Sequence, residues 1–240
     1  MPPYALGDPA VLPFVLIPVI LVLLLLWGVA TAWRRSGEPS RGVLLTTAVC
    51  AAAWMGTTWF VADAGILRRW DATPPPFSLL VVGIVLLALR LSMGRFGRVL
   101  ATGVPLWTLV AVQSFRFPLE TAMHALYERG IMPVQMSYSG RNLDIMTGVT
   151  ALIVAVLVRR RVAGRMLVAA WNVMGLALLI NVVAIALLST PRIGFFGDDQ
   201  LNVFVTYPPF VWLPAVMVLA AFAGHLLVFR ALANSRPARP

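Results

Sequence analysis

Lysine is missing altogether: all 19 basic residues of the 240-residue chain are arginine. No lysine imine can form, which excludes retinal or pyridoxal phosphate held as a Schiff base. Cysteine is reduced to Cys50, so this sequence offers no intrachain disulfide and no thiolate cluster for a metal. Histidine occurs only at 124 and 225. Charge is scarce as well, at 12% of residues, against roughly a quarter in an average soluble domain. The familiar nucleotide, zinc-protease, serine-hydrolase and dithiol motifs are all absent.

What fills the chain is apolar: 60% of residues are hydrophobic. Seven runs approach the roughly 20 residues a membrane span requires. They cover 10–33, 43–63, 77–93, 98–116, 143–160, 166–189 and 208–230. The expected fold is an all-α, multi-pass bundle forming a single unit over 1–240. The net charge of +10 does not point to nucleic acid, because the arginines form short clusters between apolar runs and not one basic patch.

Those clusters give an orientation. Arg34, Arg35, Arg41, Arg90, Arg95, Arg98, Arg159, Arg160, Arg161, Arg165, Arg230, Arg236 and Arg239 fall on one side, thirteen against six on the other. The richer side is cytoplasmic by the positive-inside rule. This places the N-terminus outside and the C-terminus inside. All the acidic residues except Glu38 then lie outside, as do the longer connections, where functional loops are expected.

The segment QSFRFPLETAMHALYERG, residues 113–130, extends the fourth run with Gln113, Arg116, Glu120, His124 and Tyr127 on one helical face. It is expected to project from the outer face, or to bend near Pro118 and lie along the interface. Arg116–Glu120 and Glu120–His124 stand four apart and can pair along the helix. A self-paired interfacial helix accounts for them, and so does a stripe facing a water-filled outer cavity.

Across from it, SYSGRNLDIMTG (137–148) supplies Arg141, Asn142 and Asp144. Ser139, Asn142 or Asp144 suits a helix start; Arg141 does not, and is expected to pair with Glu120 or Asp144 or to hold an anion. Asp198 and Asp199 read as a solvated turn. Asn172 and Asn181 read as interhelical hydrogen-bonding groups. His124 at the outer boundary and His225 near the inner end of the last run should stand on the order of 25 Å apart along the bundle. That separation argues against a bis-histidine haem, and His225 is expected to sit against its own helix C-terminus. Glu120 and His124 alone do not make a metal site.

FRFPLE (115–120), His124, GRNLD (140–144), WNVMGLALLINVV (171–183), YPPFVWLPAVMV (207–218) and GHL (224–226) resemble a group of bacterial polytopic membrane proteins to which no activity is assigned. The resemblance covers roughly 113–229 and implies a multi-pass protein of the bacterial inner membrane. It gives no residue a catalytic role.

The leading expectation is therefore a membrane protein that binds or transports a small molecule. Its site would be an outward-facing polar pocket lined by Arg116, Glu120, His124, Arg141, Asn142 and Asp144. His124 would couple the site to protons. The alternatives are a membrane-embedded enzyme acting on a lipid or periplasmic substrate, with Glu120 and His124 in acid–base roles, and a structural subunit whose stripe packs on a partner helix.

Overall fold

Backbone polar groups in a bilayer have no water to bond, so a span must satisfy its own hydrogen bonds, and a helix does. The computed structural model describes residues 8–234, and every regular element among them is helical. The α-helices are α1 (Pro13–Ser36), α2 (Arg41–Asp63), α3 (Pro76–Met93), α4 (Arg95–Gly103), α5 (Leu106–Val112), α6 (Arg116–Glu128), α7 (Ile145–Arg159), α8 (Arg165–Leu188) and α9 (Leu219–Asn234). A π-helical turn, Leu213–Val218, leads into α9, and a 3-10 turn, Gln113–Phe115, joins α5 to α6.

Five helices are long and apolar enough to cross a membrane: α1, α2, α3, α8 and Leu213–Asn234. A sixth crossing is available if α4 and the stretch Leu106–Glu128 count as one bent span. The expected seventh, α7, has 15 residues and is about 22 Å long. Large apolar side chains such as Leu23, Leu45, Phe60, Leu86 and Ile180 stand on the outer surface of the bundle. So much exposed apolar area suits lipid, not water.

The expected bend near Pro118 is not there; the chain turns earlier, by 107°, between α4 and α5. Val104, with φ −93° and ψ 132°, is extended, as a residue before proline prefers to be. Pro105 then opens α5 without needing its missing N–H. Gly103 lets the corner press on α1: a Cβ there would lie 2.6 Å from Ala32 Cα. Arg35 Nη1 donates to Gly103 O at 2.8 Å and holds the corner. Pro118, by contrast, falls in the first turn of α6, just after the 3-10 turn, and the helix runs through it.

Long-range contacts gather the loops at two ends. At one, Arg95 pairs with Glu38, Arg230 donates to Ser92 O and Gly94 O, and Arg165 donates to Leu232 O. At the other, Arg129 pairs with Asp8, Gln135 bonds Ser189 and Gln200 O, and Arg68 lies over the Tyr207 ring. The Ala10 N–H, and then Arg129, hold the Asp8 carboxyl below its ordinary range.

Two large apolar clusters, with a small third of Ala62, Leu67 and Val211, form the core. One holds Phe14, Phe77, Leu119, Met123, Phe204, Phe210 and Met217. The other holds Val29, Trp33, Leu100, Val110, Val154, Trp171 and Val228. Between them every central helix carries polar residues. Gln113 and Arg116 lie between Val110 and Leu119; Asn172 lies between Trp171 and Leu179; His225 lies between Ala221 and Val228. The bundle thus has a buried polar layer sandwiched by two apolar ones.

Candidate functional site

A buried arginine must find partners for its five N–H groups, because an unpaired charge in an apolar interior is expensive. Arg116 is 1% exposed. It does not pair with Glu120 along its own helix. Its Nε and Nη2 form a two-pronged contact with Asp144, both at 2.5 Å. Its Nη1 donates to His225 Nε2 at 2.8 Å, and Gly175 O takes longer bonds from Nη1 and Nη2.

Arginine only donates, so His225 Nε2 must accept and the ring proton sits on Nδ1. Nδ1 meets Asn172 Oδ1 at 2.8 Å, and Asn172 Nδ2 returns a bond to His225 O at 3.0 Å. His225 is therefore a buried partner of α6 and α8 in mid-helix, not a residue set against its own helix C-terminus. The rise from Arg116 to His124 is about 12 Å, so the two histidines lie closer along the bundle than expected, with different partners.

Asp144 stands at the start of α7 but does not cap it with its side chain. The carboxylate is committed to Arg116, and Thr147 Oγ1 donates to Oδ1 at 3.2 Å. Asn142 folds the approach, its Oδ1 accepting the Asp144 N–H at 3.0 Å. Its Nδ2 donates to Glu120 Oε2 at 2.7 Å and to Met136 O at 2.9 Å. Two glycines admit these contacts. A Cβ at Gly148 would lie 2.3 Å from Phe117 N, and one at Gly175 2.7 Å from His225 Cε1.

A cavity of about 430 Å³ opens onto this layer. Its wall is apolar, from Phe77, Val81 and Ile84 of α3 through Leu179 and Val183 of α8 to Met217. The polar wall residues are Arg116, Glu120, Asp144 and Asn202. Val85 on α3 and Ile180 and Ala184 on α8 belong to the wall and are exposed, so they mark the mouth. Both helices pack on α9 but scarcely touch one another.

The sequence-derived set therefore divides. Arg116, Glu120 and Asp144 meet at the cavity, and Asn142 braces Glu120 from behind. His124 points away to the 137–139 loop. Its Nδ1 lies 2.8 Å from Ser137 Oγ, its ring stacks on Tyr138 at 4.3 Å, and Nε2 is 3.5 Å from Glu128. Arg141 is exposed, its guanidinium 5.3 Å from the Phe196 ring centroid, and it pairs with neither Glu120 nor Asp144. The expected polar, outward pocket is instead an apolar cavity with a polar floor. His225, Asn172, Thr147 and Gly175 extend the polar network behind that floor without lining the cavity, and were not in the expected set.

A family model described as Domain of unknown function (DUF8737) matches residues 75–233. The chain belongs to this family. The DUF8737 segment starts at α3 and contains the whole polar layer and every wall residue of the cavity, while α1 and α2 precede it. No curated protein and no solved structure matches the chain.

Proposed function

We propose that this DUF8737 protein is an integral protein of the bacterial inner membrane that binds a lipid-soluble small molecule reached from within the bilayer. The observation that carries the reading is the cavity: its size is that of a ligand site, its walls are apolar, and its mouth is bordered by exposed Val85, Ile180 and Ala184. Seven crossings follow if α4–α6 counts as one span and α7 as another. The end holding Arg35, Arg95, Arg165 and Arg230 is then cytoplasmic. A short α7 is tolerated by local thinning or by neighbours. The ligand enters sideways between α3 and α8, with its apolar part among Val81, Val183 and Met217.

The test uses a long-chain alcohol bearing a mid-chain photoreactive diazirine, with the protein in lipid nanodiscs. Saturable labelling of Val183 or Met217 is expected, and Ala184→Trp, which plugs the mouth at an exposed position, should abolish it. Labelling confined to lipid-facing residues, unchanged by Ala184→Trp, overturns the reading.

A further inference from the structure

The polar floor has an unequal supply of free groups. Arg116 has five N–H donors and makes five contacts, to Asp144, His225 and Gly175 O, so it has none left for a ligand. Both Asp144 oxygens are engaged, and both His225 nitrogens are engaged. Glu120 differs. Its Oε2 accepts from Asn142, while Oε1 takes no hydrogen bond among the described residues, and the residue lines the cavity. Glu120 is 2% exposed and faces the cavity as one of its lining residues. Asn202, also in the wall, donates Nδ2 to Ala186 O and leaves Oδ1 unpartnered. Both are oxygens able to accept a hydrogen bond.

A buried acceptor without a donor is costly, and the cost is removed when a donor arrives. The charges agree. Arg116 is matched to Asp144, so Glu120 is a carboxyl with a neutral amide as its hydrogen-bonding neighbour. An anionic head group would meet acceptors and find no free cation.

Resting on the ligand-site reading above, we propose that the bound molecule ends in a hydrogen-bond donor, a hydroxyl or an amine, held by Glu120 Oε1. Anionic head groups are refused. The site thus distinguishes a membrane-soluble alcohol or amine from the phosphate-headed lipids that surround it. Asn142 acts as a positioning residue: its two bonds, to Glu120 and to Met136 O, fix which carboxyl oxygen faces inward.

The experiment competes the photoreactive alcohol with dodecane, dodecanol, dodecylamine and dodecyl phosphate, which share one chain and differ in the head. Dodecanol and dodecylamine should compete about fivefold better than dodecane, the net worth of one hydrogen bond. Dodecyl phosphate should be no better than dodecane. Glu120→Leu should label the cavity more weakly, since the probe is itself an alcohol, and should level the four competitors; the labelling that persists at Val183 or Met217 shows that the variant has folded. Asn142→Leu should weaken the preference without removing it. Dodecyl phosphate competing as well as dodecanol, or a preference that survives Glu120→Leu, overturns the donor-head proposal while leaving the ligand site standing. Failure of every competitor to reduce labelling removes the ligand site itself.

Discussion

Arg116 is the residue on which the polar layer turns, and its neighbours show what a linear reading can and cannot reach. The spacing Arg116–Glu120 is legible, because helical periodicity puts both on one face. The pairing is not, because Asp144 lies 28 residues further on and competes from another helix. Asp144 wins by offering two oxygens in the plane of the guanidinium, the geometry arginine binds best. His225 was illegible for the same reason: nothing in GHLLVFR records that α8 and α6 converge on it. The pair should behave as a unit. Arg116→Met alone leaves a buried carboxylate, and Asp144→Leu alone leaves a buried guanidinium; each should cost about 3–5 kcal/mol. The double variant should cost clearly less than the two added together. Unfolding in lipid, followed by a double-mutant cycle, checks this, and strict additivity would show that the pair is not coupled. Gly175→Ala should also destabilise, by about 1–3 kcal/mol, since its Cβ would meet His225 at 2.7 Å and Thr147 at 2.8 Å.

Helix positions were largely legible because long apolar runs have few alternatives in a bilayer. Expected 77–93 and 166–189 correspond to Pro76–Met93 and Arg165–Leu188 within one residue. The fourth run failed because two prolines competed to break it, and composition treats them alike. Local backbone decides. Pro105 follows an extended residue and a glycine that touches α1, whereas Pro118 follows a 3-10 turn that already adjusts the ladder. A stripe thought to project from the membrane therefore starts inside the bundle. The corner depends on the missing side chain at 103. Gly103→Val should push α4 off α1, break the Arg35 bond to Gly103 O, and cost about 1–3 kcal/mol. Hydrogen exchange should rise at residues 95–104 and stay unchanged at residues 134–142, at the other end of the bundle. Equal exchange at 95–104 in both proteins would show that α1 yields instead.

At the scale of the whole molecule, arginine is what relates the chain to a membrane. Its two ends are fixed by contacts, since Arg95–Glu38 and Arg230 with Ser92 close one end while Arg129–Asp8 and Gln135 with Gln200 close the other. Which end faces the cytoplasm rests on charge alone. The measurement that decides it uses a Cys50→Ser background, since Cys50 is exposed on α2. Single cysteines are then placed at exposed Pro39 and exposed Asp198, one at each end. With the outer membrane permeabilised, a thiol reagent that cannot cross the inner membrane should label residue 198 and spare residue 39 until the inner membrane is lysed. Equal labelling at both would mean that the ends share a compartment, and the two-ended bundle would not be a spanning one. Labelling of residue 39 alone would invert the protein, putting the Asn202 side of the cavity nearer the cytoplasm. The sideways entry between α3 and α8 would survive that inversion, because it depends on the apolar mouth and not on which compartment lies above it.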